Sequence, residues 1–280
     1  MAQSKASVQF QCGSRHEKLE YHARVKPTYE KYESHEIYGF PGSAPLLITC
    51  EHASKRVPHP LRTTPVDREW LDTHWGWDIG IRTVSREIIR QSKSIGVFAR
   101  FSRLICDANR APEHPTLVRC AVEGQVLSFN SRLTIEEVDR RLHKYHAAYH
   151  AAVDLAVAER MKHDGEVLLL AMHSFTPQLG DEKRWMDIGV LFDPFEPIAR
   201  RLQQELDNEG LKVALNEPYS ARDGLMYAAS RHGAQHKAVY LELEINQKLI
   251  ANPHDAKKMG RTVAKALSRL QFRGHQSQGR

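Results

Sequence analysis

The sequence predicts an α/β protein built on a mixed, largely parallel sheet flanked by helices. Short, strongly apolar runs alternate with longer stretches of helical periodicity, the pattern of strands joined by crossover helices. The runs are continuous rather than alternating, as in strands covered on both faces. The composition also suits a sizeable core: 280 residues, 41% hydrophobic and 26% charged, within the range of globular chains. A mainly disordered, collagenous or membrane-embedded protein is excluded on the same grounds. The longest apolar run, Val167–Met172, is far short of the ~20 residues that span a bilayer.

Residues 1–44 are polar and poorly periodic and close on Gly39, Pro41, Gly42 and Ser43, so they read as an N-terminal extension. Residues 45–271 read as one α/β domain, followed by a basic tail at 272–280. The expected strands are Leu46–Cys50, Gly96–Arg100, Leu104–Asp107, Val167–His173, Ile188–Phe192, Lys212–Leu215 and Val239–Ile245. The expected helices are Asp78–Gln91, Ile135–Met161, Pro197–Asn208 and Asp255–Leu270. Thr134 with Glu137 three residues on fits a capping box, and Asn208-Glu209-Gly210 fits a helix stop. His143, His146 and His150 share a helix face and read as a solvent-facing stripe, while His232 and His236 read as loop residues.

The net charge of +6 is concentrated after residue 256, where Lys and Arg recur without Asp or Glu. The plain reading is a terminal helix with a solvated cationic face. The stretch lacks the interleaved aromatics of a nucleic-acid stacking platform, so no nucleic-acid partner is expected. The first residues carry no continuous apolar stretch of signal-peptide type. Cys12, Cys50, Cys106 and Cys120 are widely spaced, with no Cys-x-x-Cys pair, and read as reduced thiols of a cytoplasmic protein.

Ligands of such sheets gather beyond the carboxyl ends of the strands. Polar residues where apolar runs end are therefore the candidates for chemistry. Leu46–Cys50 runs into Glu51-His52, Leu104–Cys106 into Asp107-Ala108-Asn109-Arg110, and Leu168–Met172 into His173-Ser174. The last run carries Glu242 and Glu244 and ends at Asn246. Imidazoles and carboxylates delivered to one sheet edge meet the needs of a catalytic zinc site: three N or O ligands, an open position and a carboxylate able to move protons. Each piece also has a plainer reading. A His after a strand can be a hydrogen-bonding group, Asp107 a turn or cap residue, and the two glutamates an exposed strand face. A thiol nucleophile at Cys50 or Cys106 and a non-enzymatic binding module are the competing hypotheses.

Taken in order, Leu46–Pro58 (LLITCEHASKRVP), Arg103–Arg110 (RLICDANR), Met172–Ser174 (MHS), Glu217–Gly224 (EPYSARDG) and Leu243–Asn246 (LEIN) resemble the N-formylglutamate amidohydrolase family. The resemblance runs from about residue 45 to 271. It implies a zinc-carboxypeptidase-like fold, one Zn2+ ion and a small acidic substrate. The implied reaction is hydrolysis of an N-acyl amide on an acidic amino acid, N-formyl-L-glutamate giving formate and glutamate in histidine breakdown. It further implies His52 and His173 as metal ligands and Glu244 as general base. Asn109 and Arg110 would bind substrate, Arg110 clamping the α-carboxylate through its rigid fork of donors. Arg103 would steady the oxyanion, with a structural ion pair as its equal alternative, and Arg222 with Asp223 would close the pocket or meet a side-chain carboxylate, with a surface pair as the plainer reading.

Two departures qualify the resemblance. Zinc carboxypeptidases place a Glu three residues after the first ligating His, where this chain has Lys55. A third ligand must come from elsewhere: Asp78, between Trp75-Gly76-Trp77 and Ile79, ranks first, Glu51 second and His74 below them. A helix N-cap is the alternative role for Asp78. Ala171 stands where the family often has Asp, which removes a carboxylate that would orient a ligating imidazole. These departures keep two alternatives open, a hydrolase of another N-acyl amino acid or small peptide and an inactive relative that only binds. Loops 111–133 and 175–186 would set the pocket's shape.

Overall fold

The structure is a computed structural model that describes residues 27–40, 44–220 and 225–270. In chain order its strands are β1 (Thr28–Lys31), β2 (His35–Gly39), β3 (Leu46–Cys50), β4 (Ile95–Ala99), β5 (Ala121–Val122), β6 (Gln125–Val126), β7 (Leu168–Phe175), β8 (Gln178–Leu179), β9 (Glu182–Lys183), β10 (Ile188–Leu191), β11 (Val213–Leu215) and β12 (Val239–Asn246). The α-helices are α1 (Pro65–Leu71), α2 (Ile81–Ser92), α3 (Ile135–Arg141), α4 (Ala148–Asp164), α5 (Glu196–Asp207), α6 (Tyr227–His236) and α7 (Pro253–Arg269).

Eight strands form one sheet in the order β1-β2-β4-β3-β7-β12-β10-β11. The four central strands β4, β3, β7 and β12 run parallel, while β2 and β10 join them antiparallel. The sheet is thus mixed and largely parallel, as expected. Every residue of β3, β7 and β10 is buried, which explains why these runs do not alternate. One face packs Ile48, Leu170 and Leu243 against α2, α5 and α7 through Val84, Leu202 and Val263. The opposite face packs Leu47, Leu169 and Tyr240 against α4 and α6 through Val153, Val157 and Ala229.

Several expectations are corrected. Residues 28–31 and 35–39, assigned to the extension, form β1, at the sheet's edge, and β2 beside it. Their pattern is masked because β1 is exposed and because β2 buries Glu36, which Arg82 clamps with two nitrogens. Leu104–Asp107 is not a strand. Its chain turns, with the Ile105 N–H donating to the Ser102 carbonyl, and its apolar residues are core packing rather than sheet. α1 and α6 were not expected; α1 opens on a complete capping box between Thr64 and Asp67. At Thr134 only half of the predicted box forms, because the Glu137 carboxylate turns to Arg140 and Arg141. The helix from residue 135 passes through a π-helical segment, Leu142–Ala147, before α4. His146 and His150 are buried rather than facing solvent, and His232 and His236 lie in α6. α5 stops at Asn208, with Gly210 at φ +84° beyond it. In α7 the basic residues Lys257, Lys258, Arg261, Lys265 and Arg269 are exposed, while Met259, Val263 and Leu267 face the core; the tail at 272–280 lies outside the described residues. No helix among the described residues is long and apolar enough to cross a membrane.

Candidate functional site

The parallel register sets the site. Thr49, Ala171 and Glu242 lie in one row across β3, β7 and β12. One step toward the carboxyl ends, His173 lies opposite Glu244, with Glu51 just past the end of β3. Strand parity puts these rows on the face that carries Leu47, Leu169 and Tyr240, so one sheet face changes from apolar to ionic as its strands end. His52 follows in the turn after β3, and its carbonyl accepts the Asp78 backbone N–H at 3.0 Å. Gly80 then turns the chain into α2 with φ +83°; a Cβ there would lie 2.1 Å from the Ile250 carbonyl oxygen.

His52 Nδ1 and His173 Nδ1 are 3.1 Å apart, and His173 Nδ1 is 3.1 Å from Asp78 Oδ2. His52 Nδ1 is 3.6 Å from the same oxygen. The opposite ring nitrogens are engaged: His52 Nε2 donates to Asp107 Oδ1 at 2.7 Å and His173 Nε2 to Glu51 Oε2 at 3.0 Å. With the protons on Nε2, both Nδ1 atoms turn lone pairs toward one point beside Asp78, an arrangement that holds either a proton on His173 Nδ1 or a metal cation. Tetrahedral zinc ligands at about 2.0–2.1 Å lie about 3.3–3.4 Å from one another. These three buried side chains therefore fit a metal ion in donor type and in spacing. Asp78 is not an N-cap, since α2 starts three residues later at Ile81; its Oδ2 also accepts the Ser174 N–H at 3.0 Å.

The electrostatics favour positive charge at this point. Burial works against a charged His173, yet the carboxylates of Glu242, Asp78 and Glu51 raise its pKa well above the usual imidazole value. Burial alone would raise Glu51, but hydrogen bonds from His173 and Tyr149 hold it below the ordinary carboxyl value. Asp107 is likewise held well below its usual value, against burial, by Arg103 and His52. Glu242 and Glu244 differ. Burial raises Glu242 to about 7 and Glu244 well above its usual value. One carboxyl oxygen of each is buried without a hydrogen-bond partner among the described residues.

His52, Asp78, His173, Glu242 and Glu244 line a cavity of about 280 Å³ walled by His74, Trp75, Arg110, Arg119 and Tyr219, while Glu51, Asp107 and Tyr149 do not line it. Arg103 also lines it, its fork bonded to Asp107 Oδ2 at 2.9 and 3.2 Å and Nη1 3.7 Å from Asp78 Oδ1. Arg110 is half-buried at the wall. Asn109, expected to touch substrate, has both ends of its amide engaged: it donates to the Leu225 carbonyl and accepts the Ala228 N–H. It ties the Asp107–Arg110 turn to the start of α6. Lys55 stands away from the site and pairs with Asp72. His74 lines the cavity outside the converging triad, and Arg222 lies outside the described residues. Burial raises the Cys50 thiol well above its ordinary pKa and pushes Cys106 up to about 12, which removes both as thiolate nucleophiles.

A profile of the N-formylglutamate amidohydrolase family matches residues 44–251. The chain belongs to this family. A crystal structure of a gene product from Agrobacterium tumefaciens is 28% identical, with a TM-score of 0.76 over 85% of this chain and 96% of that one. The crystal structure of N-formylglutamate amidohydrolase from Ralstonia eutropha shares the fold at 19% identity, TM-score 0.66, over 85% and 97% of the two chains. No curated protein matches the sequence.

Within this member of the family, several site residues were not expected from sequence. Glu51 was ranked as a spare ligand but supports His173 from behind. It supplies the carboxylate that Ala171 lacks, and the absent side chain at 171 lies in register with buried Glu242. Its signal was parity, since residues 49, 51, 171 and 173 share a face. Asp107 is signalled by its place at the end of the Leu104–Cys106 run, but its role as the partner of His52 Nε2 is not. Tyr219 lies in the Glu217–Gly224 motif without being singled out there, whereas Tyr149, from a helix, and Arg119, from an irregular loop, carry no local signal.

Proposed function

We propose that the protein is a zinc-dependent amidohydrolase that cleaves N-formyl-L-glutamate to formate and glutamate. Membership of the family supports a hydrolase; the convergence of His52 Nδ1, Asp78 Oδ2 and His173 Nδ1 around one point is the observation that carries the metal. These three residues would hold the ion. When bound, zinc supplies Lewis acidity, lowering the pKa of water toward neutrality and polarising a carbonyl.

The chain's own residues supply the rest. Glu244, buried at the cavity wall with its pKa raised, takes a proton from the attacking water and returns it to the departing amine nitrogen as the C–N bond breaks. Arg103 faces the developing oxyanion from its anchor on Asp107. Arg110 binds the α-carboxylate, and Asn109 acts by fixing the turn that bears it. Glu51 and Asp107 keep the protons of the two imidazoles on Nε2 and their Nδ1 atoms free. Arg222 belongs to the Glu217–Gly224 motif and is assigned to substrate binding on that resemblance alone.

The test is Glu244→Gln. The variant retains zinc and loses about 10²–10⁴-fold in kcat on N-formyl-L-glutamate. Normal turnover would remove Glu244 as the base.

A further inference from the structure

Among the described residues three guanidiniums line the cavity, and only that of Arg103 is ion-paired. Arg103 is committed to Asp107 and Asp78. Neither Arg110 nor Arg119 has an ion-pair partner among the described residues. Arg110 makes one long bond, 3.5 Å from Nη1 to the Asn109 carbonyl, and its Nε is buried without a partner. Arg119 makes no side-chain hydrogen bond among the described residues; its guanidinium carbon sits 5.3 Å from the centre of the Trp75 ring. Burial, together with the nearby Arg103 and Arg110, lowers its pKa below the ordinary guanidinium value.

The support beneath Arg119 is rigid. Asn130 donates to the Arg119 carbonyl and to the Leu104 carbonyl, both at 2.7 Å, and its own Oδ1 accepts from Arg141 at 2.6 Å. Arg141 is itself buried and donates to the Phe129 and Ile105 carbonyls. Trp75 is steadied by its indole N–H on Glu123 at 3.3 Å. A guanidinium laid on an aromatic face keeps its edge donors available for a carboxylate, which an ammonium cannot do in the same way. Two uncommitted forks in one small cavity form a receptor for two carboxylates.

We propose that Arg119 on its Trp75 shelf receives the substrate's side-chain carboxylate while Arg110 receives the α-carboxylate, so that Arg119 is the residue through which the pocket reads the second carboxylate. The inference rests on the deformylase reading, and its test separates the two. The full-length, zinc-supplemented protein is titrated by calorimetry with glutarate and with its monoamide, glutaramate. The wild type prefers glutarate by about 10- to 100-fold, as expected for charge-assisted hydrogen bonds. Arg119→Gln abolishes that preference by weakening glutarate alone, and Arg119→Lys restores part of it; both variants melt at the wild-type temperature. Equal weakening of both ligands, or an intact preference in Arg119→Gln, overturns the assignment. Turnover of N-formyl-L-glutamate is followed alongside. If it is absent while the preference and its loss persist, the deformylase reading falls and the Arg119 assignment stands.

Discussion

The protein buries two clusters of histidines, and they are built on opposite principles. In the first, His52 and His173 each give Nε2 to a carboxylate and turn Nδ1 toward each other and toward Asp78. In the second, the nitrogens are used in series. His150 Nδ1 meets His232 Nε2 at 2.8 Å, His232 Nδ1 meets Asp154 Oδ1 at 2.7 Å, and His236 Nε2 meets that same oxygen at 3.0 Å. His146 Nε2 donates to the Arg110 carbonyl at 2.9 Å. The fields differ too. Three carboxylates raise His173 despite burial, whereas burial, reinforced by His146, His232 and Arg231, lowers His150 to about 2. Histidine content does not make a metal site; convergence of unprotonated nitrogens with a carboxylate does. The second cluster is a strut between α4 and α6 that also holds the turn bearing Arg110.

The sharpest way to break this contrast is to remove one imidazole from each cluster. His173→Ala should lose bound zinc and hydrolysis together, by more than the about 10–100-fold that loss of a supporting carboxylate brings. His232→Ala should keep one equivalent of zinc while melting at a lower temperature. Equal zinc loss in both, measured by metal analysis after dialysis, would erase the distinction. A smaller effect is expected at Glu51. Glu51→Gln should weaken zinc affinity about 10–100-fold in competition with a chelator. Unchanged affinity would mean that His173 needs no carboxylate behind it.

The smallest effect concerns pH. His150 has a depressed folded-state pKa, so above about 6.5 it is neutral in both states and contributes no pH dependence. Below 6.5 the unfolded chain takes up a proton that the folded chain refuses, and stability falls as pH falls. Between pH 6.5 and 5 this amounts to roughly 2 kcal/mol. Urea unfolding of His150→Gln over that range should show a slope shallower than wild type by about 1 kcal/mol per pH unit on average. Parallel slopes would contradict a neutral buried His150.

The same contrast explains what the sequence could reveal. The sheet core is legible because β3, β7, β10 and β12 are buried along almost their whole length and read as mainly apolar runs, interrupted in β12 by Glu242 and Glu244. β1 and β2 were not, because an exposed edge and the Glu36–Arg82 pair break that signal. His52, His173 and Glu244 were legible as polar residues ending apolar runs. Sequence leaves Asp78 open between ligand and cap, because only the fold shows α2 beginning later, at Ile81. The second cluster was misread because helical spacing cannot tell which face a neighbouring helix will cover, and α6, weak in apolar periodicity, is the element that buries His150. Arg119 depends on contacts between loops that no local pattern encodes.

Anomalous scattering at the zinc absorption edge, on crystals of the zinc-supplemented protein, tests the convergence most directly. One strong peak bonded by His52 Nδ1, Asp78 and His173 Nδ1 is the expected result. A peak among His150, His232 and Asp154, or none at the sheet edge, would contradict it.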